Sequence, residues 1–231
     1  MNNDIILAQV ERITPLTDSI MQLVLTPEVY VPYQAGQYLK IMLGEEALSY
    51  SIANAPLGSH KYELHIRHTR DNPYNQLLFA HIKQHGSVPI HLPFGQCSMA
   101  HLDPQRPIMF VAGGTGFAPV NAMIEQLLAS NDIRPFELFW SARSQSDLYL
   151  DQKVQGWQTH VSRFNYVSLI SDENKKTVAS AVLAQHTKDL RAWQIVISGP
   201  FDMVYSTRDA LVDHGVLAAH VFSDAFSFES K

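Results

Sequence analysis
The chain has 231 residues and a formal net charge of −5, with a mass of 26.0 kDa and a pI near 6.1. That is enough chain to bury a substantial core, as one large domain or two small ones, and an acidic balance without a basic run argues against a nucleic-acid-binding surface. No apolar run approaches the ~18 residues of a membrane span, and a single cysteine, Cys97, excludes an intrachain disulfide, a cysteine-ligated iron–sulfur cluster and a four-cysteine zinc site.

The first residues lack a basic stretch followed by a long apolar one, so no secretory signal is expected and a cytoplasmic protein is the default. Short segments rich in β-branched and aromatic residues then recur at 5–13, 19–25, 38–43, 48–53, 62–67 and 88–92. Gly36, Gly44, Gly58, Gly86 and Gly95 punctuate them, a rhythm that predicts an antiparallel barrel or sandwich. Between the fifth and sixth segments, Asp71-Asn-Pro73 is a helix start signal, and Leu77, Leu78 and Ile82 are expected to share one face of a helix over 74–84 that caps the barrel.

The pattern changes near residue 103, after a short proline-bounded linker at 101–107. From there strands at 108–112, 136–141, 166–170 and 194–198, with a last one near Val221, alternate with helices at 117–129, 147–157, 178–185 and 202–213. In the first of these helices Val120, Ile124, Leu127 and Leu128 make an apolar stripe, with Asn121 and Glu125 on the other side. The alternation predicts a parallel sheet wrapped by helices, with ligands at the carboxyl ends of its strands. The expected fold class is therefore β + α/β: an antiparallel β-barrel domain at 1–102, then a parallel α/β domain at 103–231.

At the first strand-to-helix junction stands Val111-Ala-Gly-Gly-Thr-Gly-Phe117. Gly113, Gly114 and Gly116 allow bare backbone to approach a phosphate, while the amides that open the helix supply donors and the positive end of its dipole. Pro119 suits the first helical turn, where a missing N–H costs little. The segment is not the G-x-G-x-x-G fingerprint, and glycine turns of this kind also occur for purely structural reasons.

The order of motifs carries a resemblance across nearly the whole chain. Ala35-Gly-Gln-Tyr38, Leu48-Ser-Tyr-Ser51, Leu64-His-Ile-Arg67, Leu92-Pro-Phe-Gly95, Gly113-Gly-Thr-Gly116, Ser198-Gly-Pro200 and Asp224-Ala-Phe-Ser-Phe228 follow one another in a way that resembles the ferredoxin–NADP reductase superfamily. Within it, the chain looks most like the small NAD(P)H:flavin oxidoreductases.

The resemblance implies a flavin-binding barrel and an NAD(P)H-binding α/β domain. Hydride would pass from NADH or NADPH to the N5 nitrogen of riboflavin, FMN or FAD, held as a substrate or a loosely bound cofactor. Tyr50 would lie beside the flavin and Ser51 near N5, where a hydroxyl can both donate and accept as the nitrogen changes state. The backbone around His65, Ile66 and Arg67 would run along the ring, and Phe226 in the aromatic tail would cover it. Gly113, Gly114, Thr115 and Gly116 would face the nucleotide, Arg143 its phosphates, Asp172 its adenosine ribose, and Ser198, Gly199 and Pro200 the nicotinamide.

Two positions depart from the family pattern. Leu48 stands where the family has a phosphate-facing arginine, so the phosphate grip is weakened; Arg67 or Arg70 are the candidates to replace its charge. Ser198 stands for the cysteine of the family's Cys-Gly-Pro turn, which hydride transfer does not require. Asp172 favours NADH, whereas Lys175 and Lys176 pull toward a 2′-phosphate. Released reduced flavin would serve a flavin-dependent monooxygenase or a ferric complex. Two alternatives stay open: an electron-transfer flavoprotein that keeps its flavin and docks a protein acceptor, and a non-catalytic nucleotide-binding module. No metal is expected: His81 and His85 share a helical face and His65 and His68 are near neighbours, but no H-E-x-x-H pattern accompanies them.

Overall fold
In a computed structural model of the chain, which describes residues 5–69, 71–130, 132–171 and 176–228, two sheets lie one after the other along the sequence. Arg70, Asp172, Lys175 and the side chain of Phe228 lie outside the described residues.

The first sheet is antiparallel. It uses β1 (Ile6–Thr17), β2 (Ile20–Pro27), β3 (Tyr38–Leu43), β4 (Glu46–Ser51), β5 (Tyr62–Arg67) and β6 (Ser87–Phe94) in the order β4-β3-β6-β1-β2-β5. Its two edges meet where Ile52 bridges Leu64 and the Ala53 amide donates to the Glu63 carbonyl at 2.7 Å, closing the sheet toward a barrel and removing its open edges. Leu23, Leu39, Ile41, Leu64 and Ile90 fill the interior.

Helix α1 (Pro73–His85) starts because Asn72 accepts from the amides of Tyr74 and Asn75 with proline next in line, and it stops at Gly86 in the left-handed region. Leu78 and Ile82 plug the barrel core. Leu77 does not join them: it is exposed, because a neighbour one residue from Leu78 points about 100° away around a helix.

The second sheet is parallel, in the order β11-β10-β7-β8-β9, from β7 (Ile108–Gly113), β8 (Phe136–Ala142), β9 (Phe164–Ile170), β10 (Gln194–Ser198) and β11 (Val221–Phe222). The order runs outward on both sides of β7, so the carboxyl ends of β7 and β10 flank the point where the winding reverses. Helices α2 (Phe117–Ala129), α3 (Asp151–His160), α4 (Val178–Gln185) and α5 (Phe201–Asp213) connect the strands. β7 is buried along its whole length, as a central parallel strand covered on both faces must be.

Three further elements depart from what their local sequence suggests. Helix α3 begins at Asp151 and not at 147: Ser144 and Asp147 form a reciprocal capping box that closes a short 3-10 turn, leaving Leu148-Tyr149-Leu150 outside the helix. The tail is not a strand; residues 224–228 form a 3-10 turn, anchored where the Asp224 carboxylate accepts from the amides of Gln96 and Cys97, each at 2.9 Å.

The third concerns the polar side of α2, which does not face solvent. Asn121 is buried and donates to the Ala53 carbonyl at 2.6 Å, while Glu125 accepts from the Ala55 amide at 3.0 Å. Lys153 bridges both side chains from α3, at 3.0 and 2.7 Å. A polar stripe on this helix is thus an interface with the barrel.

Candidate active site
A cavity of about 810 Å³ opens between the two halves, within the size range of small-molecule sites. Its barrel wall is Ser49, Tyr50, Ser51, His65, Arg67 and Thr69; the opposite wall is the 113–116 turn, Ala118, Ser141, Ala142, Arg143, Ser171, Ser198, Gly199, Pro200 and Met203. A second groove of about 510 Å³ shares Tyr50, Arg67 and Thr115 and continues past Leu48 and Ile66 to Asn72 and Tyr74 at the start of α1.

On the barrel wall, β4 pairs with β3 so that Tyr50 sits opposite Leu39 and Ser51 opposite Tyr38. Tyr50 is half-buried, and burial pushes its hydroxyl up to about 12, so it is a neutral aromatic surface. The strand ends at Ser51, which borders the cavity. His65 contributes backbone only, since its imidazole is fully buried. Its Nε2 lies 2.8 Å from Glu63 Oε1 and its Nδ1 lies 3.1 Å from the Tyr149 hydroxyl, an atom of the opposite half. Burial pushes the Glu63 carboxyl up, but hydrogen bonds from His65 and Gln22, with the nearby charge of Lys153, outweigh it and hold the group low.

Across the cavity, Gly114 has φ +53°, a conformation that costs an L-residue energy. A Cβ there would meet only the flexible end of Arg67, at 3.2 Å, so this backbone faces open space. Gly116 differs: a Cβ would lie 2.2 Å from the Ser198 carbonyl oxygen, so the turn is packed hard against the end of β10. Helix α2 then opens with no side-chain cap, directly after a 3-10 turn over 114–116 whose Gly114 carbonyl accepts from the Phe117 amide. Trp140 Nε1 donates to the Gly114 carbonyl at 3.0 Å and holds the turn from behind.

The cavity is lined by polar and apolar surface in similar measure and carries positive charge from both sides. Arg67 reaches from β5 toward the glycine turn and lies 3.7 Å from Asp147, and Arg143 is exposed at the end of β8. Among the described residues, Ser51 makes no side-chain hydrogen bond, so its hydroxyl is available to whatever fills the space.

Of the residues singled out in the sequence, the structure brings Tyr50, Ser51, His65, Arg67, Gly113, Gly114, Thr115, Gly116, Arg143, Ser198, Gly199 and Pro200 to this one cavity. Ile66 borders the adjoining groove. Asp172 lies outside the described residues, and Phe226 is not brought to the cavity: its ring packs 6.0 Å from Tyr205 and under the Arg208 guanidinium at 5.2 Å, on the side of α5. Sequence reasoning missed Met203, Ser141 and Ser171, which line the cavity from strand ends and α5; the alternation of strands and helices was the signal that located those ends. Leu48 is only 9% exposed and joins the barrel core. The rings of His81 and His85 stand 4.4 Å apart, and no group of three or more His, Cys, Asp or Glu suited to a metal is found among the described residues.

Known proteins share both the nucleotide-side sequence and the two-part fold. A model of the oxidoreductase NAD-binding domain matches residues 110–209, which include the glycine turn and Ser198-Gly-Pro200. The chain is 33% identical over 216 residues to reductase component 1 of a terephthalate 1,2-dioxygenase from Comamonas sp., covering 90% of this chain and 64% of that protein. It is 27% identical over 232 residues to an NAD(P)H-flavin reductase of Vibrio harveyi, covering 95% and 98%. The structure of a ferredoxin NADP+ reductase from Neisseria gonorrhoeae, with FAD and NADP bound, superposes with a TM-score of 0.79 at 18% identity over 95% of this chain and 97% of that one. A glycine turn inside a matched nucleotide domain, a barrel ahead of it, and relatives that span both halves lead to one conclusion: residues 110–209 belong to the oxidoreductase NAD-binding domain family, and the two-part fold of the chain is that of a ferredoxin NADP+ reductase.

Proposed function
We propose that the protein is an NAD(P)H-dependent flavin reductase that binds pyridine nucleotide and flavin together and releases reduced flavin. The observation that carries this reading is the single cavity with Tyr50 and Ser51 on one wall and the 113–116 turn with Ser198-Gly-Pro200 on the other. Residues 1–102 form the flavin side and 103–231 the nucleotide side. The similarity to the Vibrio harveyi reductase over nearly the full length of both chains supports it.

The residues suit the two ligands. On the nucleotide side, Gly114 presents bare backbone to open space beside the N-terminal end of α2, which matches a pyrophosphate. Arg143 adds charge, and Ser198, Gly199 and Pro200 form the shelf for the nicotinamide. On the flavin side, Tyr50 offers an aromatic face, the backbone of His65 and Ile66 the edge of the ring, and the Ser51 hydroxyl a group that donates or accepts. The nicotinamide supplies hydride and the flavin accepts it at N5. Juxtaposition at roughly 3–3.5 Å is then the protein's main task, and Ser51 is the one side chain assigned to the reacting atoms. No charged base is needed, because solvent protonates the product.

Partners and setting belong to the same proposal. Reduced flavin would supply an oxygenase or a ferric complex; the Comamonas relative is named as the reductase component of a dioxygenase. No helix among the described residues is long and apolar enough to cross a membrane, and a cytoplasmic location is proposed. The choice between NADH and NADPH rests on the segment that includes Asp172.

A second reading is a flavin held permanently for a protein acceptor. The groove that continues past Tyr50 to Asn72 and Tyr74 favours it by offering room for a longer flavin. Against it, Leu48 brings no charge there, and Asn72 already occupies the first amides of α1. NADH oxidation with and without added riboflavin tests both. Strict dependence on added flavin supports the reductase; an activity that survives gel filtration with a yellow protein supports the second reading.

A further inference from the structure
The cavity walls are joined beneath the surface by a connection that the proposed chemistry does not itself use. Gln22 donates to Glu63 Oε1 at 2.7 Å, the same oxygen lies 2.8 Å from His65 Nε2, and His65 Nδ1 lies 3.1 Å from the Tyr149 hydroxyl. Burial holds the Tyr149 hydroxyl protonated far above ordinary pH, and Glu63 is held ionised. With a neutral imidazole the protons then have one arrangement: Tyr149 donates to Nδ1, and Nε2–H donates to the carboxylate.

Tyr149 carries the link onward. Its ring meets Trp140 edge-on at 5.2 Å and Phe117 at 6.1 Å. Trp140 and Phe117 stack at 4.0 Å. Trp140 holds the Gly114 carbonyl, and Phe117 opens α2. One path of contacts therefore runs from the strand whose backbone borders the flavin side to the turn that faces the nucleotide. Two residues earlier, at the end of the short 3-10 turn, Asp147 faces Arg67 across the cleft at 3.7 Å.

We infer that the His65–Tyr149 hydrogen bond is a positioning device that sets the glycine turn against β5, and thereby the separation at which hydride is passed. This rests on the flavin-reductase reading of the cavity. Neither side chain touches the reacting atoms, so both are positioning residues. A hydrogen bond suits the task better than an apolar contact because its strength falls steeply with distance and angle, whereas apolar surfaces slide at little cost.

Tyr149→Phe tests it, since the ring and its packing remain and only the hydroxyl is lost. The expected result is a turnover number lowered about tenfold at saturating NADH and riboflavin, with both Michaelis constants within about twofold, because a small misplacement costs rate before it costs affinity. His65→Gln, whose terminal group falls near Nε2 and keeps Glu63 but not Tyr149, is expected to fall as far. His65→Asn, whose oxygen falls near Nδ1 and keeps Tyr149, is expected to recover most of that loss. Amide hydrogen exchange of the unliganded proteins supplies a readout independent of activity: peptides covering 113–117 should exchange faster in Tyr149→Phe and His65→Gln than in His65→Asn. Wild-type turnover and exchange in Tyr149→Phe overturn the proposal, as does equal loss in the two His65 variants. A wild-type protein with no flavin-dependent NADH oxidation would refute the reading of the site, and the exchange comparison would then decide the link alone.

Discussion

Gly114 and Gly116 stand two residues apart in the same turn, yet the structure gives them different work, and alanine at each separates the two roles. At Gly114 the added methyl meets only Arg67 Nη2 at 3.2 Å, which a flexible side chain relieves by moving a few tenths of an ångström. The left-handed backbone at φ +53° adds ~1–2 kcal/mol of strain. That corresponds to a fall in melting temperature of roughly 2–8 °C for a chain of this size. The methyl also occupies the space through which backbone approaches phosphate. Losing charge-assisted hydrogen bonds worth ~1.5–3 kcal/mol raises the NADH dissociation constant roughly 10- to 100-fold. Riboflavin affinity should stay within about twofold, because on the barrel wall only the flexible end of Arg67 has to move. At Gly116 the methyl lies 2.2 Å from the Ser198 carbonyl oxygen and 2.4 Å from its carbon. These are backbone atoms of β10, so the strand or the turn must shift, at ~3 kcal/mol or more. Gly116→Ala should therefore melt well below Gly114→Ala and weaken both ligands. Fluorescence titrations of each ligand and thermal melts measure all of this. Equal loss of NADH and riboflavin in Gly114→Ala, or a wild-type melt for Gly116→Ala, would refute the division of labour.

Three other perturbations give distinct outcomes. Ser51→Ala should lower turnover by roughly 5- to 100-fold, the equivalent of ~1–3 kcal/mol in the transition state, with flavin affinity nearly unchanged; full turnover at saturation removes Ser51 from the reaction. Riboflavin, FMN and FAD should bind within about tenfold of one another because Leu48 brings no cation. Leu48→Arg should lower the melting temperature, since Leu48 packs in the barrel core, and a strong, salt-sensitive wild-type preference for FMN would mean that Arg67 supplies the charge. The Glu137 hydrogen bond chiefly holds His186 above its usual range, against burial, with Asp189 assisting. This stabilisation is fully present below the unfolded value of ~6.5 and is lost as pH rises through the folded value. The melting-temperature gap between wild type and His186→Gln should therefore be widest in mild acid and narrow in alkali, and a gap that widens with pH contradicts the assignment.

Much of the fold was readable because its elements differ in period. Strands that alternate, or are apolar throughout, stand out from a helix such as α2, and the glycine and proline punctuation fixed most ends to within a few residues. The site was readable through the order of its motifs: Tyr50, Ser51, Gly114 and Ser198 lie far apart in sequence, and only a barrel followed by a parallel sheet brings them to one cavity. What escaped was decided by partners distant in the chain. Asn121 and Glu125 look like any solvated helix face, since nothing local records that Ala53 and Ala55 present backbone to them. Phe226 and Phe228 alternate as strand residues do, but Asp224 is committed to the amides of Gln96 and Cys97, and the chain turns there.

The displaced start of α3 matters more than its few residues suggest. A helix continuous from 147 to 157 would spread Asp147 and Tyr149 around its axis, about 200° apart. The capping box at Ser144 instead ends the local turn at Asp147, and the turn that follows at Leu148-Tyr149-Leu150 lets both side chains face β5, where they meet Arg67 and His65. The other ties between the halves are also polar: Asn121 and Glu125 on backbone groups of the barrel, and Asp224 on the amides after Gly95. The barrel has its own apolar core, while the cores on the two faces of the parallel sheet draw little from it. Apolar burial thus stabilises each half, and directional bonds around the cavity rim set their relation. That division suits a site whose proposed reaction tolerates little error in distance, because a change in either core that leaves the rim bonds intact should alter stability without moving one wall against the other.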